Sequence, residues 1–466
     1  MASNNSGDND VSRKMDNLNI ENDDGDNNNE NRNGEEISAA EFSLMRKALR
    51  SKLIHTTNQV DIFQKDPNNP LYSAKSFEEL NIPEQLLRGI YDMGFSKPSR
   101  IQETALPLLL DDRRTNLIAQ SQSGTGKTAA FILASLFRVR VEQKYPQVII
   151  LSPTYELALQ TGDVAKQMAK YIPEIKIRYV VRGEAITRNA KLTEHILIGT
   201  PGKMIDWSLK YNCYDLRKIS VFVLDEADVM IDMQGLRAQS IKLKQCLPKS
   251  CQMMLFSATY SDDIMDFARK IIPDPVVILK LRVEEQSLDN INQYYIVVKN
   301  EEEKYDALTN IFGTIAIGQA FIFCETRLSA SKLVQKLRKD GHSVGLISGD
   351  LTVEQRNEAL RRFRDGQERV IVATNVMARG IDVEQVTIVI NYDLPTNPAT
   401  HDIDFETYLH RIGRTGRFGK EGLAINFVDG DRTMQMIKRL EEHFKKPIKK
   451  LDATDVDEIE KIGNDM

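Results

Sequence analysis

The stretch that decides the fold is Ala119-Gln-Ser-Gln-Ser-Gly-Thr-Gly-Lys-Thr128. It follows an apolar run, Asn116-Leu-Ile-Ala119, that reads as a short buried strand. It leads into Ala129-Ala-Phe-Ile-Leu-Ala-Ser-Leu136, which has helical composition and no breaker. Strand, glycine-bearing loop, Lys-Thr and helix, in that order, make the arrangement that cradles a nucleotide triphosphate. Gly124 and Gly126 let backbone N–H groups close around phosphate oxygens where a Cβ would clash. The helix N-terminus adds the positive end of its dipole. Lys127 is expected to reach the β- and γ-phosphates, and the Thr128 hydroxyl to ligate Mg²⁺. Ser121, Gln122, Ser123 and Thr125 fill out the cradle, with Ser121 standing where the general pattern has its first glycine.

Outward from this loop the chain alternates between short apolar runs and longer amphipathic segments. Val148-Ile-Ile-Leu151, His195-Ile-Leu-Ile-Gly199, Val221-Phe-Val-Leu224 and Met253-Met-Leu-Phe256 predict a parallel sheet with crossover helices. After Asp274-Pro275 an acidic stretch reads as a linker, and the alternation resumes with Ala320-Phe-Ile-Phe-Cys324, Ser343-Val-Gly-Leu-Ile347, Val370-Ile-Val-Ala373, Val386-Thr-Ile-Val-Ile390 and Leu423-Ala-Ile-Asn-Phe427. The expected layout is α/β throughout: an acidic tail at 1–38, an N-terminal extension at 39–74, a first domain at 75–280, a linker at 281–290 and a second domain at 291–466. Only the first domain has a phosphate loop.

The 466 residues carry a formal net charge of −5. Residues 1–38 hold ten acidic and three basic residues, a balance of −7, so the remainder sits near +2. The Asn- and Asp-rich tail lacks apolar spacing and is expected to be disordered. A near-neutral folded part can still hold a local basic groove, so overall charge does not exclude nucleic acid. No run is long and apolar enough for a membrane span or the core of a signal peptide. Cys213, Cys246, Cys251 and Cys324 show no metal-ligand spacing and read as free thiols of a reducing compartment. In the extension, Phe42, Met45, Leu49 and Leu53 share one helical face, with Arg46, Lys47, Arg50 and Lys52 carrying charge.

Two further segments carry chemistry. Val221-Phe-Val-Leu-Asp-Glu-Ala-Asp228 is a buried strand ending in acids, at the edge where open parallel sheets bind ligands. Asp225 is positioned to hold Mg²⁺ through water, and Glu226 to orient or deprotonate the attacking water. Tyr408-Leu-His-Arg-Ile-Gly-Arg-Thr-Gly-Arg417 places three arginines and His410 around a glycine-spaced loop, where they would repel one another without an anion to face. Arg414 and Arg417 can act as arginine fingers on a γ-phosphate bound to the other domain. A purely RNA-facing basic turn is the alternative.

These segments, with Ser257-Ala-Thr259, Gly94-Phe-Ser-Lys-Pro-Ser-Arg-Ile-Gln102 and Ala378-Arg-Gly-Ile-Asp382, resemble the DEAD-box RNA helicase family, in family order from about Phe77 to Phe427. The resemblance implies two tandem RecA-like domains and RNA-dependent ATP hydrolysis. It implies that Phe95 stacks on adenine and Gln102 reads its edge, as a side-chain amide is able to do. Asp382 matches the position that contacts the ribose. Ser257, Thr259 and His410 match positions that link nucleotide state to domain closure. Pro153, Thr154, Gly183, Thr200 and Gly202 in the first domain, and Arg327, Arg356 and Thr374 in the second, match RNA-facing positions. Mainly these are backbone contacts, which bind without regard to sequence.

Three departures narrow the resemblance. Tyr155 stands where most of the family has arginine, Ser121 where most have alanine, and Lys203 where most have arginine. A phenol cannot replace a guanidinium fork, which puts one RNA contact in question. Ser152-Pro-Thr-Tyr-Glu-Leu-Ala-Leu-Gln-Thr161 and Asp66-Pro-Asn-Asn-Pro-Leu-Tyr-Ser-Ala-Lys-Ser-Phe-Glu-Glu-Leu80 are similar to one branch, the animal helicases that act in mRNA export at the cytoplasmic face of the nuclear pore. That branch implies a monomer, a nucleoporin partner on the first domain, and an export cofactor carrying inositol hexakisphosphate on the second. It also implies that the helix at 39–54 inserts between the domains and restrains hydrolysis. Unwinding in translation initiation and a non-hydrolysing, nucleotide-switched RNA clamp are the rival readings.

Overall fold

The computed structural model describes residues 60–64, 73–120, 125–232, 235–259, 261–281, 290–315, 318–375, 386–397, 400–416 and 421–464. The tail, the helix at 39–54, and most of the linker lie outside them, as do Ser121, Gln122, Ser123, Gly124, Asp382 and Arg417.

Strand β1 is Val60–Gln64, β2 is Asn116–Gln120, β3 is Val148–Leu151 and β4 is Ile177–Val180. Then follow β5 (Ile196–Gly199), β6 (Val221–Leu224), β7 (Gln252–Ser257) and β8 (Val276–Leu281). They form one sheet in the order β1-β8-β2-β7-β6-β3-β5-β4. All neighbours run parallel except β1, which pairs antiparallel with β8, Val60 opposite Leu281. Every residue of β2, β3, β5, β6 and β7 is buried, which is why these strands read as unbroken apolar runs.

The second sheet takes β9 (Ile291–Val297), β10 (Gln319–Phe323), β11 (Val344–Ile347) and β12 (Val370–Ala373). It is completed by β13 (Val386–Asn391), β14 (Gly422–Val428) and the short β15 (Lys449–Lys450). Its order is β11-β12-β10-β13-β14-β9-β15, parallel throughout. Helices cover both sheets, and residues 50–466 make one compact unit.

Five strands escaped the sequence reading: β1, β4, β8, β9 and the two-residue β15. β4 has half-buried residues at three of its four positions and carries Arg178, so it lacks an apolar run. β9 has exposed Asn292 and Val297 among buried neighbours, as fits a strand next to the sheet edge. β8 follows directly on Pro275, close to the expected end of the first domain, and its Leu281 pairs with Val60. β1, from within the expected 39–74 extension, is an edge strand of the first sheet. The terminal helix Val456–Asn464 buries Ile459 and Ile462 in the second core.

Helix starts place side chains at the C-terminal edges of the strands. Thr154, just after β3, caps the helix Tyr155–Met168 by accepting from the Leu157 N–H at 3.2 Å. Thr326, after β10, caps Arg327–Lys339 in the same way, accepting from the Ser329 N–H at 3.0 Å.

Candidate nucleotide and RNA site

Gly126 is the N-cap of the helix Lys127–Arg138 and has φ +94°, a conformation glycine adopts without penalty. A Cβ there would lie 2.4 Å from Gln102 Nε2, so the loop and Gln102 are fitted to one another. Gln102, at the first turn of the helix Arg100–Leu110, donates from Nε2 to the Gly126 carbonyl at 2.9 Å. Its Oε1 accepts from the Ser99 N–H at 3.0 Å. Ser99 Oγ donates to the Thr125 carbonyl at 2.7 Å. The residues expected to read adenine and to bind phosphate therefore share one hydrogen-bonded corner. Phe95 lies just before it, half-buried against the first core. Lys127 is buried and Thr128 follows it on the helix.

Asp225 and Glu226 leave β6 into the helix Ala227–Asp232, and Glu226 has φ +48°. A non-glycine residue in that region is strained, and such strain collects at functional sites. Asp225 is 2% exposed, and burial, with the adjacent Glu226 charge, pushes its carboxyl up to about 7; Lys127 acts in the opposite direction. Glu226 is 8% exposed and its Oε2 has no hydrogen-bond partner. Two adjoining buried carboxylates, one with an orphaned oxygen, form an edge short of positive charge. That suits a cation shared with phosphate oxygens. No group of three or more His, Cys, Asp or Glu among the described residues forms a metal cage.

The second sheet meets this edge. His410 Nε2 lies 2.8 Å from Asp228 Oδ2, and both side chains are buried. Thr259 Oγ1 donates to the same carboxylate oxygen at 3.4 Å. Gln120, at the end of β2, donates from Nε2 to the Ala258 carbonyl at 3.5 Å. A single set of contacts thus ties β2, the Ser257–Thr259 turn, Asp228 and His410. Asp228 and Gln120 had no role in the sequence reading; Asp228 was legible only as the last acid of a motif. Arg414, one turn beyond His410, is 3% exposed, and its Nε donates to the His410 carbonyl at 3.2 Å.

Arg411 corrects the expectation that all three arginines need an anion. It is fully buried, with Nη1 donating to Asn391 Oδ1 at 2.8 Å and to the Asp393 carbonyl at 2.6 Å. Both Nε, at 3.1 Å, and Nη2 donate to Asn375 Oδ1. Asn391 Nδ2 donates onward to Asn426 Oδ1 at 2.8 Å, and Tyr408 OH donates to Gln293 Oε1 at 2.8 Å. This buried polar lattice fixes the helix Phe405–Ile412 on β9, β13 and β14.

Of the expected RNA-facing residues, three share one cleft. Pro153, Thr200 and Gly202 line a cleft of about 730 Å³ with Lys203, Gln239 and Lys242. Gly183, after β4, has φ +93° and open space around it. In the second sheet Arg327 pairs with Asp350, and Thr374 ends β12 buried with Oγ1 unpartnered. Arg356 behaves differently: its Nε bonds Glu156 Oε1 at 3.0 Å, joining the helix Val353–Arg364 to the first domain. Tyr155 is half-buried and packs partly on the first core.

Comparison with known proteins matches the same stretches. Residues 99–267 fit the DEAD/DEAH box helicase model, and residues 303–419 the helicase conserved C-terminal domain. The chain is 57% identical over 430 residues to the human ATP-dependent RNA helicase DDX19A, spanning 92% of this chain and 90% of that one. It is 53% identical over 456 residues to the Drosophila melanogaster DEAD-box helicase Dbp80, spanning 98% of each. The structure of Saccharomyces cerevisiae Dbp5 bound to RNA and ADP BeF3 superimposes with a TM-score of 0.79 at 44% identity, covering 84% of this chain and 99% of that one. A yeast Dbp5 variant bound to Nup159, a Gle1 variant, IP6 and ADP superimposes with a TM-score of 0.64 at 41% identity, covering 83% of this chain and 99% of that one. Both halves of the cleft, the acids after β6 and the basic helix end after β13, fall within these matches, and the chain belongs to the DEAD/DEAH box helicase family.

Proposed function

We propose that this DEAD-box ATP-dependent RNA helicase acts as a clamp in mRNA export, remodelling mRNA–protein complexes at the cytoplasmic face of the nuclear pore. The observation that carries the reading is the buried His410–Asp228 contact, which joins the two sheets beside the acids of β6. The phosphate loop, including Ser121, Gln122, Ser123, Gly124, Thr125, Gly126 and Lys127, holds the ATP phosphates; Phe95, Gln102 and Asp382 hold adenine and ribose. Thr128 and Asp225 would hold Mg²⁺, which would supply positive charge against the nucleotide's phosphates.

Glu226 orients and deprotonates the attacking water, and its unpartnered Oε2 is available for that bond. Arg414 and Arg417 stabilise charge that develops on the γ-phosphate. His410, Ser257 and Thr259 connect that event to closure. Single-stranded RNA lies across Pro153, Thr154, Gly183, Thr200 and Gly202, and then across Arg327, Arg356 and Thr374. Arg356 reaches RNA and Glu156 from one position, so strand binding and closure share a residue. Binding of the relatives to Nup159, Gle1 and IP6 supports a nucleoporin and an inositol-hexakisphosphate-bound export factor as partners.

Glu226→Gln tests the central assignment. It should bind ATP and RNA as the parent does and lose roughly a hundredfold or more of RNA-stimulated phosphate release. Normal turnover in that variant would refute the base assignment.

A further inference from the structure

Lys304 lies on the helix Glu301–Thr314, outside every motif named above. Its side chain is 3% exposed, and its Nζ sits 3.0 Å from Asp393 Oδ1, 3.1 Å from Asp429 Oδ2 and 3.3 Å from Glu301 Oε1. The Tyr392 ring lies 5.2 Å away, and Tyr392 OH donates to Glu301 Oε2 at 3.1 Å. An ammonium in such surroundings is costly to bury, and an apolar residue of similar volume often serves stability as well. Here burial opposes the charge, and the Asp393 and Asp429 carboxylates overcome it, holding Lys304 above its ordinary range.

Asp393 is held at every polar atom. Lys304 holds Oδ1, the Glu325 N–H donates to Oδ2 at 2.9 Å, and the Asp393 N–H donates to the Phe323 carbonyl at 3.1 Å. Its own carbonyl accepts from Arg411 at 2.6 Å. Arg411 is the residue next to His410, which makes the contact with Asp228. A continuous bonded path therefore runs from Lys304, beside the C-terminal ends of β9, β13 and β14, through Asp393 and Arg411 to the interface.

We propose that Lys304 is a positioning residue for the RNA-stimulated reaction: by neutralising Glu301, Asp393 and Asp429 it fixes the turn after β13, and through Arg411 sets the placement of His410 and Arg414. This rests on the RNA-dependent ATPase reading above. Lys304 touches neither nucleotide nor RNA, so its loss should leave ground-state binding intact and slow the step that needs closure.

The test is steady-state ATPase of the full-length protein with and without RNA across about pH 5.5 to 8.5, as the ratio of variant to parent at each pH. Lys304→Met should keep the parent's affinity for ADP and lower RNA-stimulated kcat by about tenfold to a hundredfold. The deficit should deepen as pH rises. Without the ammonium, three ionised carboxylates repel one another, and protonation at low pH relieves them. The remaining groups facing the cluster do not produce that slope. Tyr392 and Cys324 are held neutral by burial, Arg411 is pulled down only to about 10, and Glu325 contributes its backbone N–H. Lys304→Met/Asp393→Asn, with one carboxylate removed, should flatten the slope.

A pH-independent deficit means lost packing alone and overturns the proposal, as does full kcat. If Lys304→Met does not fold, Asp393→Asn replaces it: kcat lowered about threefold or more with ADP affinity unchanged supports the assignment, and parental kcat overturns it. A parent enzyme with no RNA-stimulated turnover would instead overturn the ATPase reading.

Discussion

The ends of β2, β6 and β7 in the first sheet and of β13 and β14 in the second are built in different ways. After β2, β6 and β7, Gln120 Oε1, Glu226 Oε2 and Ser257 Oγ are buried without partners among the described residues, and Asp225 is pushed towards neutral pH. After β13 and β14 the polar groups are matched to one another: Arg411 has three different acceptors, and Asn391, Asn426, Tyr408 and Gln293 bond in sequence. Unmet hydrogen-bonding capacity in a buried site is expensive unless a ligand meets it. The first edge is thus prepared for something that is not protein. The second edge is a rigid mount whose work is to carry His410 and Arg414 to the first.

That division makes three variants informative. The largest effect belongs to Arg414→Ala, which should lower RNA-stimulated ATPase by roughly a thousandfold or more. Equilibrium binding of a fluorescent ADP should stay unchanged. If ADP affinity fell in parallel with turnover, the second edge would be part of the ground-state nucleotide site, and the contrast would break.

Asp228→Asn comes next. It exchanges the charged acceptor shared by His410 and Thr259 for a neutral amide. A buried hydrogen bond to a charged group contributes about 1.5–3 kcal/mol, so closure should weaken by about tenfold to a hundredfold. The readout is the RNA concentration needed for half-maximal ATPase, with Asp228→Ala as the harsher comparison. An unchanged RNA requirement would mean that His410 docks on something else.

Glu156→Gln should have the smallest effect. It removes the charge facing Arg356, a second contact between the domains. The side chain of Arg356 is 17% exposed and can turn to a phosphate, so the lost pair is partly replaced when RNA binds. A change of about threefold in half-maximal RNA concentration is expected at low salt, shrinking as salt screens the charges. An effect as large as that of Asp228→Asn would make Glu156–Arg356 an equal partner in closure.

Much of the catalytic edge was legible in order along the chain. The apolar runs of β2, β6 and β7 end in residues whose chemistry is recognisable locally: glycines, Lys-Thr, paired acids, Ser-Ala-Thr. Strand periodicity failed where a strand sits at or near the sheet edge. β1 and β4 are the edges of the first sheet and β9 lies one strand from the edge of the second; β4 is mostly half-buried and β9 mixes exposed with buried positions, so no apolar run announces these two. Charge counting failed at Arg411. Three arginines in one loop suggested a shared anion, but the acceptors for one of them come from Asn375, Asn391 and Asp393, residues close in space and scattered in sequence. Arg356 was assigned by motif to RNA, and its partner Glu156 lies 200 positions away.

The sequence by itself determined the alternation of strands and helices, the Lys-Thr pair that opens the helix after β2, the acids that follow β6 and the basic helix end that faces them. Each depends on residue type at fixed local spacing, which any reading along the chain can see. Tertiary structure alone decided which polar groups satisfy one another. A hydrogen bond or a buried charge pair is settled by distance and burial, and these depend on how remote strands are ordered in a sheet. Lys304 and Arg411 show the difference plainly. In the sequence one is a lysine in an acidic helix and the other an arginine in a basic motif; in the fold they hold Asp393 from two sides.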